Sequence, residues 1–194
     1  EKKLFENPEI SKNSLKTLVD KGILITEEQI ISRLDSSIIS SMLVDKIAYS
    51  DAQKKAIIEI ENHFAENKTS LLYGVTGSGK TEIYIYFIQK AIENGEQVLF
   101  LLPEIALTSQ IVNRLRSFFG SKVGVYHSKF NEFEKVEIWN AVQNKKKGVL
   151  NQYSIVLGAR SSIFLPFSNL GLIIVEEEHD TSYKQFEPAP RYNA

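Results

Sequence analysis

The chain has 194 residues, 43% hydrophobic and 24% charged, with a net charge of -1, the proportions of a soluble globular protein long enough for one full domain and part of another. It contains no cysteine, which excludes a disulfide framework and thiolate-held zinc within these residues and fits a reducing cytosol. The charge balance does not mark the whole chain as a nucleic-acid binder, and no apolar run is long enough for a helical membrane span.

The N-terminus, Glu1-Lys2-Lys3-Leu4-Phe5, lacks a signal-peptide core and an initiator Met, so the sequence reads as a piece of a longer protein. Ser11-Lys12-Asn13-Ser14 starts a predicted helix with Leu15, Leu18 and Val19 on one face, and Lys21-Gly22 stops it. Ile23-Leu24-Ile25 then reads as a strand. Helix, stop and strand together have the form of the end of a winged-helix unit, with the helix available for DNA; a helix–turn–strand piece without that role is the commoner reading of such a pattern. Ile30 to Ile47 is an apolar, serine-rich connector. Residues 1–48 are therefore expected as a partial winged-helix segment and connector, and residues 49–194 as a second, α/β unit.

In that second unit, Ser50 caps a predicted helix over Asp51–Glu66, and Ser70–Tyr73 reads as a short strand. Gly74-Val75-Thr76-Gly77-Ser78-Gly79-Lys80-Thr81 follows and matches GxxxxGK[ST], the phosphate-binding loop. Strand, glycine-rich turn and helix start aim several backbone N–H groups at one point, and the glycines keep Cβ atoms out of the way. The expected phosphate cradle is Gly74, Thr76, Gly77, Ser78 and Gly79. Lys80 is expected to reach the β- and γ-phosphates of ATP, and the Thr81 hydroxyl to bind Mg²⁺.

The helix opened by Lys80 should end near Asn94-Gly95. Gln97–Leu102 is a nearly all-apolar strand, as burial on both faces requires. A helix over Ala106–Phe119, a strand over Lys122–Tyr126 and a helix over Asn131–Asn144 follow, the last with Phe133, Val136, Trp139 and Ala141 as apolar positions. Tyr153–Leu157 and Leu170–Val175 are further strands. Repeated strand–helix units imply a mostly parallel sheet covered on both faces. Lys122 to Arg160 holds seven Lys or Arg against three Glu; Lys145-Lys146-Lys147 in it is as well explained by a solvated helix end as by a nucleic-acid contact.

Leu172-Ile173-Ile174-Val175 runs directly into Glu176-Glu177-Glu178-His179-Asp180. An apolar strand ending in carboxylates, about a hundred residues after a phosphate loop, has the form of a Walker B element. Glu176 is expected to hold the Mg²⁺ shared with Thr81, and Glu177 to orient the attacking water.

The blocks Leu72–Glu82, Leu102–Thr108, Tyr126-His127-Ser128, Leu157–Ser161, Phe164–Phe167, Gly171–Asp180, Ser182–Gln185 and Pro190-Arg191-Tyr192 together resemble, in order and spacing, the helicase core of the primosomal replication-restart helicases, the PriA family of superfamily 2. The resemblance covers about three quarters of the chain. It implies a RecA-like lobe 1 over residues 49–194 and residue roles beyond those above. Gln53 matches the adenine-reading glutamine, or is a polar residue on a surface helix. Thr108 matches a contact to the single-strand backbone. Arg160 matches another, with a structural ion pair as its alternative. His179 matches the residue coupling the nucleotide and DNA sites, while a purely structural bond is the usual role of a lone histidine. His127 is left structural.

Two positions depart from that family. Glu176 stands where Asp is usual, and Ala159 where Thr is usual. The resemblance further implies a second motor lobe with arginine fingers and a cysteine-rich zinc element in such proteins, outside this chain. The function it implies is an ATP- and Mg²⁺-dependent 3′ to 5′ DNA helicase acting on single-stranded and forked DNA with replication-restart proteins. It implies a bacterial, cytoplasmic, nucleoid-associated setting without membrane contact, and weak activity for this lobe alone. The competing expectation is a nucleotide- or DNA-dependent binding module with little or no hydrolysis.

Overall fold

The computed structural model describes residues 17, 21, 47–103, 109–127, 130–143 and 153–184. The chain divides into two units, Glu1–Ile31 and Ser32–Ala194. In the first, Thr17 and Lys21 are described, and the Lys21 N–H donates to the Thr17 carbonyl at 3.1 Å, a helical-turn bond. The rest of the expected winged-helix segment lies outside the described residues.

In the second unit the chain runs α1 (Asp51–Ala65), α2 (Lys80–Glu93), β1 (Gln97–Leu101), α3 (Ser109–Phe119), β2 (Val123–Tyr126), α4 (Glu132–Gln143), β3 (Ile155–Gly158) and β4 (Leu170–Val175). The strands form one sheet in the order β2-β3-β1-β4, and every pairing is parallel. This is the expected α/β architecture of a RecA-like lobe. Register sets Leu101 opposite both Gly158 and Val175, and Gly158 opposite Tyr126. The carboxyl ends of all four strands are thus level, and His127, Arg160 and Glu176 emerge beyond that level.

Side chains along β1 alternate between the two faces, as the pleat requires. Val98 and Phe100 join Ile155, Leu157 and Ile174 in a core closed by Ile85 and Ile88 of α2 and Val112, Leu115 and Phe118 of α3. Leu99 and Leu101 point the other way, with Phe167, Val175 and Tyr183. Val156 is on that face too, under Ile138, Ala141 and Val142 of α4. The ends are capped as the residue types dictate. The Ser50 hydroxyl accepts from the Gln53 amide and the Gln53 side chain accepts from the Ser50 amide, a capping box. Asn131 and Glu134 do the same for α4. Gly95 and Gly120 end α2 and α3 at positive φ.

Two expectations are corrected. Ser70–Tyr73 is not a strand. Leu71 and Tyr73 are 75% and 93% exposed, and the segment has no ladder partner among the described residues. Strand residues need a neighbour to bond; here Ser70–Gly74 and β4 together line a cavity of about 550 Å³ instead of pairing. The second correction concerns α4. Ala141 is buried as expected, but Phe133, Val136 and Trp139 are exposed, and Ile138 and Val142 face the sheet in their place.

Candidate nucleotide site

The phosphate loop is built by two glycines in the left-handed region. Gly77 (φ 79°) and Gly79 (φ 85°) turn the chain sharply, which a residue with a Cβ does only under strain. Gly79 is also the N-cap of α2, so the loop ends where the free N–H groups of a helix begin. The Ser78 amide closes a tight turn on the Val75 carbonyl at 3.1 Å. Thr76 and Ser78 are exposed and Thr81 is half-buried in the first turn of α2.

Lys80 folds back over the loop. Its Nζ donates to the Gly74 carbonyl at 2.6 Å and approaches the Val75 carbonyl at 3.4 Å. Gln53 reaches the loop from α1, donating Nε2 to the Gly79 carbonyl at 3.0 Å while its Oε1 accepts from the Ser50 amide at 2.8 Å. It therefore ties the cap of α1 to the last glycine of the loop.

Glu176 is the last residue held by the sheet: its amide donates to the Leu101 carbonyl at 3.0 Å. Its own carbonyl accepts from the Tyr183 hydroxyl at 2.8 Å. Tyr183 is buried, and burial first, then the acidic neighbours, push its phenol well above the ordinary value. Tyr84 lines the same cavity as Glu176, and burial first, then the Glu176 carboxylate, push its phenol well above the ordinary value. The Oε2 atom of Glu176 is buried and has no hydrogen-bond partner among the described residues. Glu177 follows at φ 54°, an unusual conformation for a residue with a side chain, and swings the chain out of the strand. A turn closed from the Asp180 amide to the Glu177 carbonyl (2.8 Å) carries His179. His179 Nε2 stands 3.4 Å from Glu177 Oε2, and its Nδ1 3.8 Å from Glu178 Oε2, with the imidazole largely in solvent.

Gly74, Lys80, Glu176, Glu177 and His179 all line the same cavity of about 550 Å³. The fold thus joins a cationic loop to a carboxylate pair from nearly a hundred residues further on. Arg160 does not line it; half-buried, it opens a 3-10 turn (Arg160–Phe164) after β3. Thr108 lies outside the described residues. His127 stacks on Phe130 with ring centroids 3.8 Å apart. Among the described residues no group of three or more His, Cys, Asp or Glu is arranged to hold a metal by itself, so a cation here needs the Thr81 hydroxyl or ligand oxygens beside Glu176. Buried Oε2 with no partner fits such a cation. Sequence reasoning missed Tyr84 and Tyr183; the available signal for Tyr84 was its place one helical turn after Lys80, on the same face of α2.

The family model described as DEAD/DEAH box helicase matches residues 50–192. The chain is 40% identical over 193 residues to the replication restart protein PriA of Bacillus subtilis (strain 168), covering 98% of this chain and 23% of that protein. It is 38% identical over 195 residues to the replication restart protein PriA of Chlamydia muridarum, covering 100% and 25%. To that of Rickettsia conorii it is 45% identical over 145 residues, covering 75% and 21%. The chain spans about a quarter of the length of these relatives.

Proposed function

The chain belongs to the DEAD/DEAH box helicase family, and from that premise we propose that it is the ATP-binding lobe of a DNA helicase serving replication restart. The relatives' name, replication restart protein, supports the process. The observation that carries the reading is the convergence of Gly74 and Lys80 with Glu176 and Glu177 on one cavity.

When bound, ATP·Mg²⁺ supplies a phosphoryl group whose charge the cation neutralises. The chain's own residues do the rest. The amides of Thr76–Gly79 cradle the phosphates, and Lys80 exchanges the Gly74 carbonyl for phosphate oxygens. Thr81 and the unpartnered Oε2 of Glu176 hold the cation. Glu177 orients the attacking water, and His179, beside it, couples this event to DNA. The second N–H of Gln53 Nε2 is available to adenine while the first stays on Gly79. Arg160, beyond the carboxyl end of β3, and Thr108, which follows β1 in the sequence, hold the single-strand backbone, in keeping with ligand sites at that edge of parallel sheets. Translocation 3′ to 5′, a preference for forked DNA, restart proteins as partners and a bacterial cytoplasmic setting complete the proposal; they rest on the family resemblance.

The test is ATP hydrolysis by this chain, and by a longer protein carrying it with a second lobe, each with and without forked DNA. The lone chain is expected to bind ATP and hydrolyse it slowly, because arginines contributed from outside the lobe are worth about a thousandfold or more in rate. The longer form is expected to be strongly DNA-stimulated. Lys80→Ala should abolish nucleotide binding, and undiminished binding in that variant defeats the loop assignment. Binding without hydrolysis in both forms turns the lobe into a binding module.

A further inference from the structure

Two aromatic features stand at the carboxyl end of the sheet, and neither lines the nucleotide cavity. After β2 the chain turns tightly, the Phe130 amide donating to the His127 carbonyl at 3.3 Å. The turn lays the imidazole on the phenyl ring, centroids 3.8 Å apart and planes 27° from parallel. Both residues are half-buried. After β3, the 3-10 turn Arg160–Phe164 ends in another aromatic residue, Phe164, which is 63% exposed. Ser162 and Leu165, on either side of it, are buried. Leu165 packs in one cluster with Phe130, Val156 of β3 and Ile138 of α4. That cluster ties the two turns together and leaves Phe164 on the surface. Because β2 pairs directly with β3, both turns share one corner of the sheet, while β1 separates them from β4 and its acids.

We infer that Phe164 and the His127–Phe130 stack form a platform for the unpaired bases of single-stranded DNA. The inference rests on the backbone contact proposed for Arg160 and adds to it a contact with the bases. A flat aromatic ring is what a base stacks on, and every base has a face to offer, so such a contact tolerates any sequence. The turn that presents Phe164 begins with Arg160, a permanent cation suited to the phosphates of the same strand. Lys122 to Arg160, the stretch containing both β2 and β3, holds seven Lys or Arg against three Glu. That charge favours a polyanion over an apolar protein surface as the occupant. Neighbouring strand ends stand about 5 Å apart, close to the spacing of about 3.4 Å between stacked nucleotides. Successive bases of one strand can therefore meet the two aromatic features in turn.

The test compares two strands with the same backbone. Fluorescence anisotropy measures binding of a labelled oligothymidine, and of an abasic strand of equal length, to the 194-residue chain across a salt series. The proteins are the wild type, Phe164→Leu, Phe164→Tyr and Arg160→Ala, with the Tm of each measured alongside. Phe164 is mostly exposed, so the Tm of its variants should match the wild type. The wild type should prefer the oligothymidine by about tenfold or more, the lower end for one base stacked on an aromatic ring. Phe164→Leu should lose most of that preference, bind the abasic strand within about twofold of the wild type and keep the salt slope. Phe164→Tyr should retain the preference. Arg160→Ala should weaken both strands alike and lower the salt slope by about one. Equal binding of the two strands by the wild type, a preference that survives Phe164→Leu, or a loss that Phe164→Leu spreads equally over both strands overturns the platform and leaves the Arg160 contact standing. No binding of either strand overturns that contact and the inference with it.

Discussion

At the residue scale the loop depends on two glycines whose surroundings differ. An added Cβ at Gly77 meets nothing within 4 Å, whereas at Gly79 it runs into the Gln53 amide nitrogen. Both positions have positive φ, so alanine at either costs about 1–2 kcal/mol of backbone strain. Only Gly79→Ala also displaces Gln53 from the Gly79 carbonyl, which adds about 1 kcal/mol. Urea unfolding should therefore show Gly79→Ala less stable than Gly77→Ala, with the difference vanishing in a Gln53→Ala background. Equal losses in the wild-type background would show that Gln53 does not brace the loop. The loop was legible in the sequence because its signal is local: eight consecutive residues dictate the turn. Glu176 and Glu177 were legible for the same reason, an apolar strand ending in acids. The place of Tyr84 in the cavity of Glu176 was not, since no local pattern links a helix residue to a strand end so far along the chain.

At the element scale, α1 and α2 are strapped by Glu61, which accepts from Tyr86 Oη at 3.0 Å and Lys90 Nζ at 2.6 Å. The Lys90 hydrogen bond, outweighing the opposing effect of burial, holds the Glu61 carboxyl below its ordinary value, and the Glu61 bond raises Lys90. A depressed carboxylate contributes stability that is present above its unfolded pKa and lost as pH falls through its folded one. A raised lysine contributes stability that is lost only as pH rises through its folded pKa. The strap is thus at full strength from about pH 5 to about pH 10. Both side chains are partly in solvent, so its worth is at most about 1 kcal/mol. Unfolding free energies of wild type and Glu61→Gln should differ by that amount at neutral pH and converge as the pH falls below the ordinary glutamate range and protonates the lowered Glu61 carboxyl. A gap that persists in acid means the loss came from packing. The helices themselves were legible from caps and glycine stops. The buried face of α4 was not, because apolar residues surround that helix and periodicity alone does not choose between Phe133–Val136–Trp139 and Ile138–Ala141–Val142. Ser70–Tyr73 failed for the complementary reason: its composition suits a strand, but pairing is decided by a neighbour elsewhere in the chain.

At the scale of the whole lobe, the sheet and its cover are joined by one buried polar side chain. Gln97, 3% exposed at the start of β1, donates Nε2 to the Val142 carbonyl (2.8 Å) and the Tyr153 carbonyl (3.2 Å). Its Oε1 accepts from the amides of Ser168 (2.8 Å) and Asn169 (3.2 Å). One amide thus satisfies backbone groups of α4, of the entry to β3 and of the entry to β4, and fully uses its own donors and acceptor. These contacts lie at the amino ends of the strands, opposite the nucleotide site. The sequence places Gln97 at the head of a nearly all-apolar strand expected to be buried on both faces, but no local pattern names partners for its amide. Its burial follows from three connections that the parallel topology brings to that edge. Gln97→Met keeps the volume and removes the side-chain hydrogen bonds of four backbone groups, two of the bonds buried and two part-buried, so unfolding should weaken by about 3 kcal/mol or more. Because the lesion is remote from Lys80 and Glu176, nucleotide affinity of the fraction that remains folded should stay within about twofold of the wild type. A loss under about 1 kcal/mol would mean that water replaces the side chain; an equal loss of stability and affinity would mean that the two ends of the sheet are coupled.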